Sequence, residues 1–434
     1  MTAVAADSFV LDASQERAVE LVCSARVGIV TGGPGTGKST CLRVALDRLD
    51  RRRSRYALAS PTGKAAKRLS EATGGRRATT LHRLLEWKGA GFQRGPGNPL
   101  ECDVVIVDES SMVDTPLMAA LMRAVAPART RVILVGDANQ LPPVGPGRPF
   151  GDLVDWGRVP TVRLEVLHRT ALTSWVHVAA QDILAGRVPS LEPRPDFRWV
   201  EVNDPAWILP KLRRLVTEVF GPGRRIEAEA QVLIPQRPGV AGIEAANTVL
   251  QEAVNPRREG ERTWSRGSWE MRVGDSVIQT RNDYDLECFN GEVGRVAALV
   301  DHRALVEFPG RPEPVAYSPD KVSALQLAYA LTVHRFQGSQ VPWPIVVCHS
   351  THAYILTRQL LYTAITRSQA GVVLVGDRRG LERAIANVRT EARNTTLVDR
   401  LDDTLEPVET YAPPPPQEAD HHVDGDHGDS ATVH

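Results

Sequence analysis

One run of the sequence has the residue types and spacing of a phosphate-binding loop. It begins at Gly32, ends with Lys38 and Ser39, and matches the pattern G-x-x-x-x-G-K-[ST]. Glycines let the backbone curl so that N–H groups point inward at phosphate, and the helix that opens at Gly37 adds the positive end of its dipole. Lys38 can reach the β and γ phosphates, and the Ser39 hydroxyl can ligate Mg²⁺. We predict nucleotide contacts from Gly33, Pro34, Gly35, Thr36, Gly37, Lys38, Ser39 and Thr40.

Two adjacent carboxylates could supply a second part of the same chemistry. Asp108 and Glu109 directly follow the β-branched run Val104–Val107. Alone, such a pair is a common strand end. After a phosphate loop, it predicts that Asp108 holds Mg²⁺ and that Glu109 orients or deprotonates the attacking water. The two motifs together predict Mg²⁺-dependent hydrolysis of ATP or GTP.

An uncharged amide, Gln140, follows a third apolar strand, Val132–Val135. An amide at this place can contact the γ-phosphate and respond to its loss, which would couple hydrolysis to movement. We therefore predict that Gln140 is catalytic together with Lys38 and Glu109.

A mostly parallel sheet has to position these three segments, because they follow apolar strands that alternate with helical patterns. A second set of apolar strands comes later in the chain. The segments of both sets are Val27–Val30, Tyr56–Ser60, Val104–Val107, Val132–Val135, Gln231–Ile234, Ile345–Cys348 and Val372–Val375.

The two sets contain a faint internal repeat. Arg131–Asp137 reads R-V-I-L-V-G-D, and Gly371–Asp377 reads G-V-V-L-V-G-D. Two related α/β domains would explain this similarity, and two independent strand-to-turn sequences would explain it too.

The composition limits the function classes. With 434 residues, the chain is long enough for two or three domains. The net charge is zero, but the nine acidic residues and no Lys or Arg from Leu401 onward leave the first 400 residues with a charge of +9. A basic body fits a polyanionic partner, although dispersed arginine is also an ordinary solvated surface.

The sequence also bears on the compartment. No apolar run approaches the length of a membrane span, and no basic residue precedes the apolar positions of the N-terminus, so we expect neither a membrane segment nor a secretory signal. The five cysteines are scattered without a C-x-x-C pair, which is typical of reduced thiols in a cytoplasmic protein.

Gly136–Val144 reads G-D-A-N-Q-L-P-P-V and resembles a hallmark of the superfamily 1 helicases. The resemblance extends from about residue 11 to 381 and is strongest to the RecD-like branch, whose members move 5′→3′. It implies that Gln15 reads the adenine and that Arg169 and Arg367 are arginine fingers. It also places Gln340 at the nucleotide, where relatives carry a Glu that contacts the ribose.

The same resemblance implies a path for single-stranded DNA. The segments that carry it include Ala59–Leu69, Thr80–Leu85 and Leu327–Gln340, and the Gly- and Pro-rich stretch Trp87–Leu100 resembles the wedge that splits duplex DNA. The implied DNA contacts are Pro61, Thr62, Lys64, His82, Phe92, Thr332, His334 and Arg335.

We therefore predict an α/β protein with two RecA-like P-loop domains, each with a parallel sheet. Residues 1–160 form the first domain, with a small β-hairpin insertion at 87–100. Residues 161–289 and 324–400 form the second domain, and the Gly- and Pro-punctuated stretch 290–323 is an SH3-like β insertion. The Asp-, His- and Pro-rich residues 401–434 are expected to be a disordered acidic tail.

The predicted function is ATP-dependent 5′→3′ translocation on single-stranded DNA and duplex unwinding in repair, recombination or replication. The expected cofactors are ATP and Mg²⁺, and the expected partners are single-stranded and forked DNA, without a membrane. We expect a monomer that meets single-strand-binding or repair proteins. An RNA-directed motor of the Upf-like group and a non-unwinding ATPase switch in a repair complex stay open as alternatives.

Overall fold

The computed structural model describes residues 11–89, 91–165, 174–220, 229–239, 241–266, 269–283, 285–389, 393 and 395–404. The strands in chain order are β1 (Val27–Gly32), β2 (Tyr56–Ser60), β3 (Ala78–Thr80), β4 (Val104–Val107), β5 (Arg131–Gly136), β6 (Thr161–Leu164), β7 (Phe197–Glu201), β8 (Ala230–Leu233), β9 (Thr263–Arg266), β10 (Trp269–Arg272), β11 (Ser276–Gln279), β12 (Val293–Val300), β13 (Arg303–Glu307), β14 (Val315–Tyr317), β15 (Leu325–Leu327), β16 (Ala330–Leu331), β17 (Trp343–Cys348) and β18 (Val372–Gly376).

The helices surround these strands. In chain order they are α1 (Ala13–Ser24), α2 (Lys38–Arg51), α3 (Gly63–Ala72), α4 (Leu81–Leu84), α5 (Thr115–Ala124), α6 (Pro149–Trp156), α7 (Trp175–Leu184), α8 (Ile208–Phe220), α9 (Ile243–Val254), α10 (Val333–Phe336), α11 (Arg358–Ile365), α12 (Arg378–Ala386) and α13 (Leu397–Thr404). Within the residues that the structure describes, no helix has both the length and the apolar character needed to cross a membrane.

Two parallel sheets share one strand order. The first sheet has the order β3-β2-β4-β5-β1-β6, and the second has the order β16-β8-β17-β18-β7. When only the strands of each sheet are counted, in chain order, both sheets run third, second, fourth, fifth, first, and the first sheet adds its sixth strand, β6, at the edge. The predicted α/β class with two RecA-like domains is confirmed.

The shared order also bears on the sequence repeat. The two similar segments form β5 and β18. Each is the fifth strand of its sheet in chain order, and each lies next to the fourth strand, β4 or β17. Equivalent sequences therefore occupy equivalent places in two sheets, which favours a duplicated domain over two independent strand-to-turn sequences.

The central strand β4 explains why the sequence of this fold reads as continuous apolar runs. All four of its residues are buried. Val105 and Val107 pack into the cluster on one face of the sheet, and Val104 and Ile106 pack into the cluster on the other. Side chains of a strand alternate between faces, so a parallel sheet covered on both faces needs apolar residues at every position.

The sheet pairing moves one predicted domain border. The strand β6, Thr161–Leu164, pairs with β1 in parallel and so belongs to the first sheet. The predicted border at residue 160 therefore falls before the last strand of the first domain. Partner strands cannot be read from an apolar run alone, because the same run fits the edge of either sheet.

The small antiparallel sheet is wider than the predicted 290–323. Its order is β14-β13-β12-β11-β15, and it spans Ser276 to Leu327. The strand β11 pairs with both β12 and β15, which adds residues on each side of the predicted insertion. The outer strands were missed because they are short apolar runs without the Gly and Pro punctuation of the middle.

The C-terminal segment returns from the second domain to the first. The guanidinium of Arg393 donates to the carbonyl oxygens of Pro143 (2.8 Å), Gly145 (2.7 Å) and Gly147 (2.9 Å). These carbonyls belong to the turn that follows Gln140. A side chain after the last strand of the second domain therefore holds a loop of the first.

The helix α13 corrects the predicted start of the disordered tail at residue 401. It runs to Thr404 and lies against α6, where Asp402 accepts hydrogen bonds from Trp156 Nε1 (2.8 Å) and Arg158 (2.9 Å). These two donors lie in the first domain and have no signature in the sequence of the tail. Residues 405–434 lie outside the described part of the chain.

The predicted hairpin at 87–100 is two short turns. Isolated bridges join Trp87 to Phe92 and Gly95 to Asn98, and neither belongs to a named strand. Phe92 packs against the core of the first domain, whereas Pro96 is exposed in the second turn. Pro96 is therefore exposed at a turn of this segment, and Phe92 is packed inward.

Candidate nucleotide-binding site and nucleic-acid-binding face

The predicted phosphate loop joins the end of β1 to the start of α2. Gly35 and Gly37 have φ angles of +76° and +84°, in the left-handed region that glycine adopts without strain. Gly37 directly precedes the first turn of α2, so the helix opens out of the loop as an anion cradle requires. Ser39, in this first turn, is exposed and accessible to a ligand.

Two predicted contact residues touch the loop itself. The Lys38 ammonium donates to the carbonyl oxygens of Gly32 (2.5 Å) and Gly33 (2.9 Å). The buried Gln15 donates through Nε2 to the carbonyl oxygen of Thr36 at 3.2 Å. Both donors therefore lie beside the cradle, where a bound nucleotide would offer them alternative acceptors.

Asp108 and Glu109 lie at the carboxyl end of β4. Burial and the charge of Glu109 raise the pKa of Asp108 to about 6, while the nearby Lys38 acts to lower it. Glu109 has a φ of +54°, a strained conformation that non-glycine residues keep mainly at functional sites. A partly buried carboxylate close to a lysine and a phosphate loop fits a divalent cation, and the donors present suit Mg²⁺.

Gln140 is held by a contact between the two domains. Its Nε2 donates to Asp137 Oδ2 at 3.1 Å, and the Tyr362 hydroxyl of α11 donates to the same oxygen at 2.9 Å. The next residue, Leu141, donates its N–H to Thr363 Oγ1 at 2.9 Å. The segment predicted to sense the γ-phosphate is therefore bonded to the second domain at two consecutive points of α11.

Of the two predicted arginine fingers, Arg367 lies within the described residues and Arg169 does not. Arg367 is buried and donates through Nε to the carbonyl oxygen of Thr363 at 3.1 Å. Burial lowers its pKa, whereas the charges of Glu109 and Asp137, both in the first domain, act to raise it. Arg367 thus lies near the predicted catalytic carboxylate, while Arg169 lies outside the described residues.

Gln340 pairs with a protein side chain. Its Oε1 accepts a hydrogen bond from Arg68 of α3 at 2.7 Å. The amide therefore spans the two domains, at the position where the resemblance implies a contact to the ribose. The role of Gln340 at the nucleotide stays a prediction.

A cavity of about 450 Å³ lies beside the phosphate loop, between the two domains. Its walls come from the loop, from residues around β6, and from α7 and α11. Tyr362 is one lining residue, and His177 is another, with its Nε2 3.0 Å from the carbonyl oxygen of Pro34. The cavity places the loop of one domain directly opposite helices of the other.

Sequence reasoning did not assign a role to Tyr362 or His177. Tyr362 stands five residues before Arg367 in the segment L-Y-T-A-I-T-R, so its place next to a predicted arginine finger was a usable signal. His177 has no such signal, because it lies in no predicted motif and meets Pro34, 143 positions earlier in the chain, only through the fold.

The predicted nucleic-acid contacts include two matching turns, one in each domain. Thr80 directly precedes α4 and starts the sequence T-L-H-R, and Thr332 directly precedes α10 and starts T-V-H-R. Each threonine Oγ1 accepts from the backbone N–H of the arginine three residues later, Arg83 or Arg335, at 3.2 Å. Each turn follows the third strand of its sheet, so Arg83 holds the place in the first domain that Arg335 holds in the second.

The helix α3 brings Thr62 and Lys64 to the boundary between the domains. Thr62 caps the helix by accepting from the Ala65 N–H at 3.2 Å. The Lys64 ammonium lies 5.3 Å from the ring centre of Phe336 in α10. Burial, and then the charge of Arg68, lower the pKa of Lys64 to about 8. A phosphate nearby would favour the charged form of Lys64 and so raise this pKa again.

His82 and Phe92 form an aromatic cluster with Trp87. The ring centres of His82 and Phe92 are 5.7 Å apart, and those of Trp87 and Phe92 are 4.7 Å apart. Burial lowers the pKa of His82, and Trp87 is 43% exposed. Phe92 therefore supports the cluster from inside, and Trp87 is its accessible ring.

Three family models match separate parts of the chain. An AAA domain matches residues 15–146, the SH3 domain of ATP-dependent RecD-like DNA helicases matches 246–308, and the C-terminal domain of UvrD-like helicases matches 327–375. Together with two RecA-like sheets around a phosphate loop, these matches define a helicase-type P-loop nucleoside triphosphatase.

Relatives make the class more specific. The ATP-dependent RecD2 DNA helicase of Deinococcus radiodurans is 38% identical over 392 residues, which cover 90% of this chain and 52% of the relative. The RecBCD enzyme subunit RecD of Mycobacterium tuberculosis is 35% identical over 435 residues, covering 90% of this chain and 73% of the relative. This chain belongs to the RecD-like family of ATP-dependent DNA helicases, and it spans about half the length of the Deinococcus relative.

A solved structure agrees on the fold. The Pif1 helicase from Bacteroides in complex with ADP-AlF3 and single-stranded DNA has a TM-score of 0.54 at 20% identity, covering 84% of this chain and 92% of that one. At this identity the likeness establishes the fold and leaves the roles of single residues to the geometry above.

Proposed function

We propose that this chain is an ATP-dependent DNA helicase that moves 5′→3′ along single-stranded DNA and unwinds duplex. The observation that carries the proposal is the cleft between the two RecA-like domains. There Gln140 of the first domain and Tyr362 of the second both donate to Asp137. A change at the phosphate loop can therefore be passed to the second domain through one buried carboxylate.

Within this proposal each domain supplies part of the hydrolytic site. When bound, Mg²⁺ would polarise the phosphates and neutralise charge that develops on them. Ser39 and Asp108 would hold the cation, Lys38 would bind the phosphates, and Glu109 would accept a proton from the attacking water. Arg367 would stabilise negative charge when the cleft is closed, and Arg169 is proposed as the second finger from its motif alone.

The proposed DNA path runs over both domains. Lys64, Arg335 and the matching Arg83 would bind phosphates of the backbone, while the short helices α4 and α10 would present the same T-x-H-R turn to successive parts of the strand. Contacts of this kind need no base sequence, so we expect weak sequence preference and strong dependence on salt. The exposed turn around Pro96, with Trp87, is the proposed wedge at the fork.

The 5′→3′ polarity, the cytoplasmic location and the monomeric state are further parts of the proposal. Polarity is supported by membership of the RecD-like family. A monomer is supported because one chain supplies both sides of the nucleotide cleft. The mycobacterial relatives are named as subunits of the RecBCD enzyme, so a repair assembly is the alternative, and the mass in solution with and without forked DNA decides between them.

The test of this function is ATP hydrolysis with single-stranded DNA, with RNA and without nucleic acid. We expect strong stimulation by DNA, weak stimulation by RNA, and loss of turnover in Lys38→Ala but not in Lys211→Ala, a matched change in α8. Stimulation by RNA alone would favour the Upf-like alternative. DNA-stimulated hydrolysis without strand displacement on forked DNA would favour the non-unwinding switch.

A further inference from the structure

Arg68 ties a helix of the first domain to a loop of the second. It lies in α3 and donates through one guanidinium nitrogen to the carbonyl oxygen of Gly338 (3.1 Å) and through another to Gln340 Oε1 (2.7 Å). Both acceptors are within three residues of each other, so one planar fork grips the loop at two points. Lysine lacks the planar fork whose two nitrogens each take one of these acceptors, so Arg68→Lys would lose this geometry.

The loop also fits the start of the same helix closely. Gly338 has a φ of +71°, and a Cβ at this position would lie 3.3 Å from both Ala65 Cβ and Thr62 Oγ1. Close approach at the first turn of α3 and the fork at Arg68 together hold the loop along the helix. The loop is therefore placed to follow any movement of α3.

The other end of the loop touches the segment that follows Gln140. The buried Gln337 donates through Nε2 to the carbonyl oxygen of Leu141 at 3.3 Å. Residues 337–340 thus bridge two parts of the first domain, α3 and the γ-phosphate sensor. Arg68 therefore bonds one end of this loop at Gln340, and Gln337 at the other end of the loop bonds Leu141.

Charges around Arg68 connect it to both functional surfaces. Arg68 lies close enough to Asp108 and Arg367 in the nucleotide cleft, and to Lys64 on the proposed DNA path, for its charge to act on each of them. The carboxylate attracts the guanidinium, and the two cations repel it. A phosphate bound beside Lys64 would add a negative charge to this group and change the balance of forces on Arg68.

We propose that Arg68 is a positioning residue that couples DNA on α3 to closure of the nucleotide cleft, through its two-point grip on Gly338 and Gln340. The inference rests on the proposed function and names its coupling element. It also gives Gln340 a role distinct from the ribose, because its amide oxygen accepts one of the two hydrogen bonds from Arg68.

The test compares Arg68→Lys with Arg77→Lys, a change at an exposed arginine just beyond α3. Turnover is measured at saturating ATP with and without single-stranded DNA, and DNA affinity is measured without nucleotide. We expect the stimulation by DNA to fall at least fivefold in Arg68→Lys and to stay unchanged in Arg77→Lys. DNA affinity should change less than twofold, because Arg68 holds the loop and not the strand.

A second variant separates coupling from general damage. In Arg68→Lys combined with Gln340→Glu, a Lys–Glu ion pair replaces the fork, and stimulation should recover at least half of its original value. Wild-type stimulation in Arg68→Lys, or an equal loss without recovery in the double variant, would overturn the inference. Absence of stimulation in the unmodified protein would instead sink the proposed function.

Discussion

The hydroxyl of Tyr362 donates to Asp137 Oδ2 at 2.9 Å, and this buried bond joins the second domain to the residue that also holds Gln140. Burial, and then the charge of Asp137, raise the pKa of Tyr362, so the phenol stays protonated and remains a donor at physiological pH. One carboxylate oxygen thus accepts hydrogen bonds from Gln140, the predicted γ-phosphate sensor, and from Tyr362 of the second domain.

Replacing Tyr362 by Phe is expected to uncouple the sensor from the second domain. The ring still fills its site, but Asp137 loses one donor in a buried place, at a cost of about 1–3 kcal/mol. We expect the kcat of DNA-stimulated ATP hydrolysis to fall about tenfold, a loss of ~1.4 kcal/mol in transition-state stabilisation, with a smaller change in KM.

The matched control is Tyr354→Phe, the same chemical change at a tyrosine that is 92% exposed. This variant should keep the kcat and KM of the unmodified protein within experimental error. An unchanged kcat in Tyr362→Phe, with an intact far-ultraviolet spectrum, would show that the bond does not carry the coupling.

Lys64 predicts a pH dependence of DNA binding. Its pKa is lowered to about 8 in the free protein, so the ammonium loses its proton as pH rises through 8. Affinity for single-stranded DNA should therefore be highest below pH 8 and fall about tenfold between pH 7 and pH 9. Fluorescence anisotropy of labelled single-stranded DNA, at constant ionic strength, measures this affinity.

Lys64→Arg is the control for this dependence, because a guanidinium keeps its charge throughout the range. Its affinity should vary less than twofold between the same pH values. Equal slopes in the two proteins would mean that titration of Lys64 does not govern binding.

Arg393 is expected to stabilise the whole arrangement of domains. Arg393→Lys keeps the charge but cannot bond all three carbonyls of Pro143, Gly145 and Gly147. The loss of one or two hydrogen bonds costs about 1–2 kcal/mol and should lower Tm by about 3 °C. Arg389→Lys, at an exposed arginine of the same segment, should leave Tm unchanged; equal shifts in both would contradict the role of Arg393.

The sequence was sufficient wherever the chemistry is local. Gly35, Gly37 and Lys38 lie within one loop whose conformation follows from glycine and from the helix that starts beside it. Asp108 and Glu109 follow a strand that is buried on both faces, so its apolar run was readable. The two-domain class followed from the same runs, because a parallel sheet needs them.

The sequence was insufficient wherever two distant segments meet. Strand register and packing determine three features that were not predicted: the pairing of β6 with β1, the wider antiparallel sheet, and the contact of α13 with α6. Neither register nor packing produces a periodic pattern in the amino-acid sequence. The contacts of Arg68 with Gln340 and of Tyr362 with Asp137 join residues more than 200 positions apart. No spacing rule predicts such pairs.

Strand displacement from duplexes with a single-stranded tail is the sharpest test of the proposed 5′→3′ movement on DNA. Two duplexes of identical sequence are compared, one with only a 5′ single-stranded tail and one with only a 3′ tail, each with ATP and with Lys38→Ala as the hydrolysis control. The account predicts unwinding of the 5′-tailed duplex alone, and none by Lys38→Ala. Preferential unwinding of the 3′-tailed duplex would contradict it.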